Sequence, residues 1–221
     1  ELFPSLPISH SNQHNTITMA DLTSLLQTIA SRLEAIESHL GISGGAASAS
    51  GSSGTAEVPR SIRAFDAYCT ENLDPFVAVC NKLGGDAATV GNLIREAWME
   101  MRAYLLMASA CKEPPQASLG PLLTKLGEKT KAISQTVQRN EWEKHTKTCQ
   151  EGVQALNWLV VKPAPRDFIE SYIGGSDYWA NNIRREHRTT NPDQVAFCDN
   201  FKKLLQELMV YVKEYHTTGV T

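Results

Sequence analysis

Between Gly41 and Glu57, 14 of 17 residues are Gly, Ser or Ala. A stretch of that composition holds too little apolar surface to offset the entropy lost on ordering it. It therefore reads as a flexible tether with a root-mean-square span on the order of 20–25 Å, and it divides the 221-residue chain into parts that must each find their own packing. Before it, residues 1–18 carry Pro4 and Pro7 and no periodicity; they read as a disordered leader, with Met19 as the expected native start. From Met19 the pattern is different. Met19, Leu22, Leu26, Ile29, Leu33, Ile36 and Leu40 step by 3, 4, 3, 4, 3, 4, the 3.5-residue spacing that keeps one stripe facing a partner helix. Gly41 follows where a left-handed C-terminal cap falls. About three heptads make a helix that is marginal alone, so residues 19–40 are expected to form an oligomerising coiled coil, joined to the rest by the linker of residues 41–57; an amphipathic helix docked on the rest of its own chain is the alternative.

Residues 58–221 have helical grammar with little strand alternation. A first segment over 60–83 carries Ile62, Phe65, Phe76, Val79 and Leu83, with a break or kink expected at Pro75. Gly84-Gly85 ends it and Asp86 is placed to cap a long helix, with Val90, Leu93, Ile94, Ala97, Met101, Leu105 and Ala108 on one face. Pro114-Pro115 stops that run. Helices over roughly 118–139 and 141–161 follow, the second ended by Pro163-Ala164-Pro165. A short segment from Arg166 is expected to stop at Gly174-Gly175, and another helix to run from Ser176 to His187. Asn191-Pro192 supplies a cap and a first-turn proline for the last helix, to about His216. Loops of two to eight residues imply antiparallel neighbours. The expected fold is all-α: an up-and-down antiparallel bundle of about six helices, preceded by the coiled-coil helix and linker.

Function classes narrow mainly by exclusion. Lys+Arg total 21 and Asp+Glu 24, for a formal charge of −3, so no global basic field draws nucleic acid. No uncharged apolar run approaches the roughly 18 residues of a membrane span. The five cysteines (Cys69, Cys80, Cys111, Cys149, Cys198) are odd in number and widely spaced; they read as reduced, buried thiols of a cytoplasmic protein. The Gly-x-Ser-x-Gly string at 41–45 sits in the linker, without the strand and helix of a nucleophile elbow. Gly127-Glu128-Lys129-Thr130 lacks the Gly-Lys step of a phosphate loop. His145 and Cys149 are one turn apart, but a cysteine on the apolar face of a bundle helix is packing. No catalytic, cofactor-binding or metal-ligating set is expected, and the chain reads as a non-enzyme. What remains is surface. Tyr178, Trp179, Asn181, Arg184, Arg185 and Arg188 put aromatics and arginines on one short helix, the residue types of interface hot spots; core packing of Trp179 with Ile183 is the alternative. Pro163, Pro165 and Arg166 make a stiff loop that would lose little entropy on binding.

Several strings resemble one family. Arg32-Leu33-Glu34 lies in the coiled coil, Ala64-Phe65-Asp66 early in the first bundle helix, and Gly84-Gly85-Asp86 after it. Gln154-Ala155-Leu156-Asn157-Trp158 precedes the Pro-x-Pro. Asn181 to Glu186 is similar to an Asn-Arg-Val-Leu-x-Glu run, and Tyr211-Val212-Lys213-Glu214-Tyr215-His216-Thr217-Thr218-Gly219-Val220 is close to a domain terminus. Together they resemble the N-terminal half of a cyclase-associated protein. The resemblance implies a cytoplasmic, cytoskeleton-associated regulator at the cell cortex. It implies binding to cofilin-decorated actin, depolymerisation from pointed ends and homo-oligomerisation through the coiled coil. It also implies an adenylyl cyclase contact through Arg32, Leu33 and Glu34, and candidate actin or cofilin contacts at Pro163, Pro165, Arg166, Tyr178, Asn181, Arg184, Arg185 and Arg188. Asn182 stands where the family's run has Arg and Arg184 where it has Leu, and a second Arg-Leu-Glu is missing. Nucleotide exchange on actin, which belongs to later regions of that family, is not expected of this chain.

Overall fold

A computed structural model describes residues 58–110 and 116–220. The expected leader, coiled coil and linker, with Cys111 and Pro114-Pro115, lie outside the described residues. Among those described, all regular structure is helical. Helix α1 (Arg60–Tyr68) passes through a π turn (Cys69–Leu73) into α2 (Asp74–Leu83). Helices α3 (Gly85–Ala110), α4 (Gln116–Gln135) and α5 (Glu143–Val153) follow, α5 tightening into a 3₁₀ segment (Gln154–Val160). Then come α6 (Pro165–His187) and α7 (Pro192–Tyr215). Counting α1–α2 and α5 with its 3₁₀ extension as single rods, six rods pack up and down: each consecutive pair is in contact, and α7 returns onto α1 and α2.

Two boundaries differ from expectation. At Pro75 the helical run continues, because the π turn just before it widens the backbone where a proline ring would otherwise strike the preceding turn. At Gly174-Gly175 the helix does not stop: α6 runs on for 23 residues. Glycine in a helix interior costs only about 0.5–1 kcal/mol relative to Ala. The inward row Ile169, Ser176, Ala180 and Ile183, on both sides of the pair, is buried as one continuous face. The other stops behave as read. Gly84 leaves α2 at φ 79, a backbone region open to glycine. Asn191 Oδ1 accepts the Asp193 N–H at 3.1 Å, with Pro192 in the first turn of α7. Asp86 is not the cap it was expected to be: α3 already begins at Gly85, and the Asp86 carboxylate in its first turn accepts from Asn140 Nδ2 at 2.6 Å.

The core is built from large rings. Phe76 meets Phe197 and Phe201 at centroid distances of 5.4 and 5.0 Å, joining α2 to α7. Phe65, Tyr68 and Tyr211 form a second cluster across α1 and α7. Tyr68 is the polar hinge of that cluster: its hydroxyl donates to Leu204 O at 2.9 Å and accepts from Trp98 Nε1 at 2.9 Å. Three rods are thereby tied at one buried oxygen.

Candidate interaction surface

Helix α6 is set up at both ends by its sequence. Pro165 occupies the first turn, where a missing N–H costs nothing, and Asp167 there complements the positive helix terminus. Arg184, Arg185 and His187 in the last turn complement the negative one. Its inner face is fixed by packing: Ile183 is fully buried, and Ser176 Oγ donates to Thr148 O on α5 at 3.0 Å. Trp179 is half-buried and lies under the Lys147 ammonium, 4.4 Å from its ring centroid. The two readings of this helix thus divide, with Ile183 core and Trp179 a covered shoulder.

The outward stripe follows from spacing. Tyr178, Asn181, Arg185 and Arg188 step by 3, 4 and 3 and are all exposed, Tyr178 to 66%. Asn181 Oδ1 accepts from Arg184 at 2.8 Å, and Asn182 Oδ1 from Arg185 at 2.6 Å. Arg184 is held inward of this stripe. It pairs with Asp177 at 3.0 Å and with Asp199 on α7 at 2.9 Å, while Lys202 completes the network on the second oxygen of Asp177. Burial alone would raise the Asp177 pKa, but the hydrogen bonds from Lys202 and Arg184 outweigh it and hold the carboxyl below its ordinary value. Arg184 therefore pins the α6–α7 corner, and a leucine there could not. Together Arg184, Arg185, Arg188 and Thr189 border an open depression of about 530 Å³. Its donors are guanidinium forks, which match carboxylate or phosphate pairs in the plane.

Pro163, Pro165 and Arg166 sit at the other end of the same helix. Pro165 is buried, Pro163 is exposed after a cis Lys162–Pro163 bond, and Arg166 pairs with Asp167 and Glu170. At a rise of about 1.5 Å per residue, Arg166 and Arg188 are roughly 33 Å apart along α6. The structure thus divides the candidate residues into two patches. The seam residues and Arg32-Leu33-Glu34 lie outside the described residues. Asp177, Asp199 and Lys202, which set the geometry of the arginine patch, were not legible as partners, since their pairing depends on how α6 meets α7.

The four described cysteines are placed as packing groups. Cys69, Cys80, Cys149 and Cys198 are free and buried. Burial pushes the Cys69 and Cys198 thiols up to about 12 and the Cys149 thiol well above its ordinary value. Among the described residues no group of three His, Cys, Asp or Glu side chains is placed to hold a metal ion, and no helix is long and apolar enough to cross a membrane.

The described residues thus form an all-α, up-and-down helical bundle. Residues 65–220 match the family described as the CAP N-terminal domain, and the chain belongs to that family. It is 29% identical over 209 residues to adenylyl cyclase-associated protein 2 of Rattus norvegicus, covering 92% of this chain and 44% of the relative. With adenylyl cyclase-associated protein of Dictyostelium discoideum it shares 30% identity over 217 residues, covering 92% and 45%. The chain thus spans less than half the length of these relatives. A crystal structure of the N-terminal domain of CAP, reported as indicating variable oligomerisation, aligns with a TM-score of 0.70 at 27% identity over 73% of this chain and 89% of that one. The N-terminal domain of the Dictyostelium discoideum protein aligns at 0.69 and 26% identity, over 72% and 93%.

Proposed function

We propose that this chain is a non-enzymatic cytoplasmic regulator that binds cofilin-decorated actin and promotes filament depolymerisation at pointed ends, assembling through residues 19–40. Membership of the CAP N-terminal domain family carries the reading. The exposed stripe of Tyr178, Asn181, Arg185 and Arg188 supports it with a surface of hot-spot composition. The mechanism is differential binding: a ligand moves a filament end toward release only if it prefers the released or distorted terminal state. Tethered copies raise the effective concentration of the bundle at that end, by an amount set by the linker.

The test is pointed-end loss from cofilin-coated filaments across a concentration series of the full chain. Acceleration is expected, reduced at least tenfold in a Y178A/R185A/R188A variant with unchanged helicity. A rate independent of protein concentration overturns the proposal.

A second reading is favoured by the names of the relatives, which are called adenylyl cyclase-associated. Here Arg32, Leu33 and Glu34 capture a cyclase and the bundle is a spacer. Leu26→Asp with Leu33→Asp separates the two. The scaffold loses all binding, whereas the actin regulator keeps weak monovalent activity in its bundle.

A further inference from the structure

The Pro163–Arg166 end of the fold carries a second surface, apart from the arginine stripe. Three residues before Pro163, Val160 ends the 3₁₀ segment and is 62% exposed. It borders a groove of about 410 Å³ between that segment and α4. The buried Leu126, Leu156 and Leu159 form its floor. Gly127 leaves the α4 side open: it has no side chain, and an added Cβ would meet nothing within 4 Å. The α4 lining extends from Leu123 to Ser134, roughly 16 Å at a rise of about 1.5 Å per residue.

Most polar groups of the lining are engaged within the chain. Thr130 Oγ1 donates to Leu126 O at 3.0 Å, and Ser134 Oγ to Thr130 O at 3.2 Å. Asn157 Nδ2 donates to Gln154 Oε1 at 3.4 Å. Lys131 is the exception. It is exposed, it is the one charged residue of the described lining, and it has no ion pair among the described residues. Lys162 is likewise exposed and without an ion pair, and the chain holds it within about 7 Å of Val160. Arg166, by contrast, is taken up by Asp167 and Glu170, and Glu128 lies outside the lining. An apolar trough is thus edged by uncompensated positive charge, in a chain whose formal charge is −3.

We propose that this groove docks a short extended segment of a partner protein, with two alternate leucine-like side chains flanked by carboxylates. Alternate side chains of an extended segment point the same way, and about five residues span the trough. The apolar pair covers the leucine floor and Val160, and removal of that surface from water supplies the attraction. The carboxylates meet Lys131 and Lys162 at the rim, which fixes register and excludes basic partners. The open shape favours a chain segment over a small molecule. A small-molecule pocket encloses most of its ligand, whereas Gly127 and Val160 stand exposed along this trough. None of these residues belongs to the arginine stripe, so the site stands whether or not that stripe binds actin.

The test titrates the full chain, ¹³C-labelled at its methyl groups, with acetyl-Glu-Leu-Ser-Leu-Glu-amide. Parallel arms use the same peptide with both Glu replaced by Gln, and with both Leu replaced by Ala. The expected result is a saturable shift of the Leu156 and Val160 methyls, with affinity at least fivefold weaker for each altered peptide. Gly127→Leu fills the trough and should weaken binding at least tenfold without lowering the melting temperature, since leucine is the better helix former and the position is open. Lys131→Gln with Lys162→Gln, which changes only exposed side chains, should abolish the preference for Glu over Gln. No saturable shift, equal affinity for the three peptides, unaltered binding in Gly127→Leu, or a preference kept in the lysine variant would each overturn the proposal. A solution mass that rises with concentration and falls in Gly127→Leu would place a second copy in the groove, and would overturn it equally.

Discussion

Gly91 and Gly152 are bare because their neighbours already fill the space. A Cβ on Gly91 would stand 2.4 Å from Cys80 Cβ, and one on Gly152 would stand 2.5 Å from the Phe201 ring. Replacing glycine by alanine inside a helix ordinarily gains about 1 kcal/mol. Here the collision reverses the sign, because overpacking costs about 1–3 kcal/mol and Cys80 Cβ is anchored to backbone. Gly91→Ala should lower stability in urea, and a gain would show that α2 and α3 pack less closely. At Tyr68, removing the hydroxyl strands the buried Trp98 Nε1, while Leu204 O keeps its place in the α7 backbone ladder, so Tyr68→Phe should cost about 1–3 kcal/mol. Two histidines set an acid limit. Burial lowers His145 to about 4, against an opposing hydrogen bond that its Nε2 donates to Gln194 Oε1, and burial lowers His216 to about 4. Below the unfolded value near 6.5, the unfolded chain binds protons that the folded one refuses. Stability is therefore complete above about pH 6.5 and falls as pH drops toward 4, at up to about 1.4 kcal/mol per pH unit for each histidine. Urea midpoints measured between pH 4 and 7 check this, and a flat profile would mean that both rings are already open to water.

At the scale of elements, α6 is the instructive case. A Gly-Gly pair reads as a stop, yet the buried row on both sides of it holds the helix together. Gly174 is exposed, and an added Cβ would meet nothing within 4 Å. Gly174→Ala should therefore raise stability by about 0.5–1 kcal/mol, seen as a higher melting temperature. A helix that really stopped there would show no gain. Continuity matters for function, since it makes one rod of the Pro163–Arg166 end and the Tyr178–Arg188 end and prevents them from forming one patch. The Pro75 segment makes the complementary point. A residue that normally ends a helix is absorbed by a π turn, so α1 and α2 stay one rod.

For the whole molecule, the formal −3 averages over opposed surfaces. Arginines gather at the corner where α6 enters α7, and unpaired glutamates gather toward the other end of α7. If residues 19–40 assemble the chain as expected, Leu26→Asp with Leu33→Asp should reduce the solution mass to that of one chain while far-UV helicity falls only slightly. A mass unchanged by those substitutions would remove the coiled coil from the proposed mechanism.

What the sequence determined by itself was local. Apolar periodicity, the Asn191-Pro192 cap and the Gly84 exit are short-range consequences of backbone sterics and side-chain spacing, and they placed the helical rods, except that α6 was divided at Gly174-Gly175, and most of the core. The exposed stripe from Tyr178 to Arg188 was legible for the same reason, as neighbours on one helix. Tertiary structure alone decided what depends on residues far apart in the chain. It turned Arg184 inward to Asp177 and Asp199 and covered Trp179 with Lys147. Helical spacing shows which residues share a face, but the register of one rod against another is set by how rings such as Phe76, Phe197 and Phe201 interlock, and those distances appear only once the chain is folded.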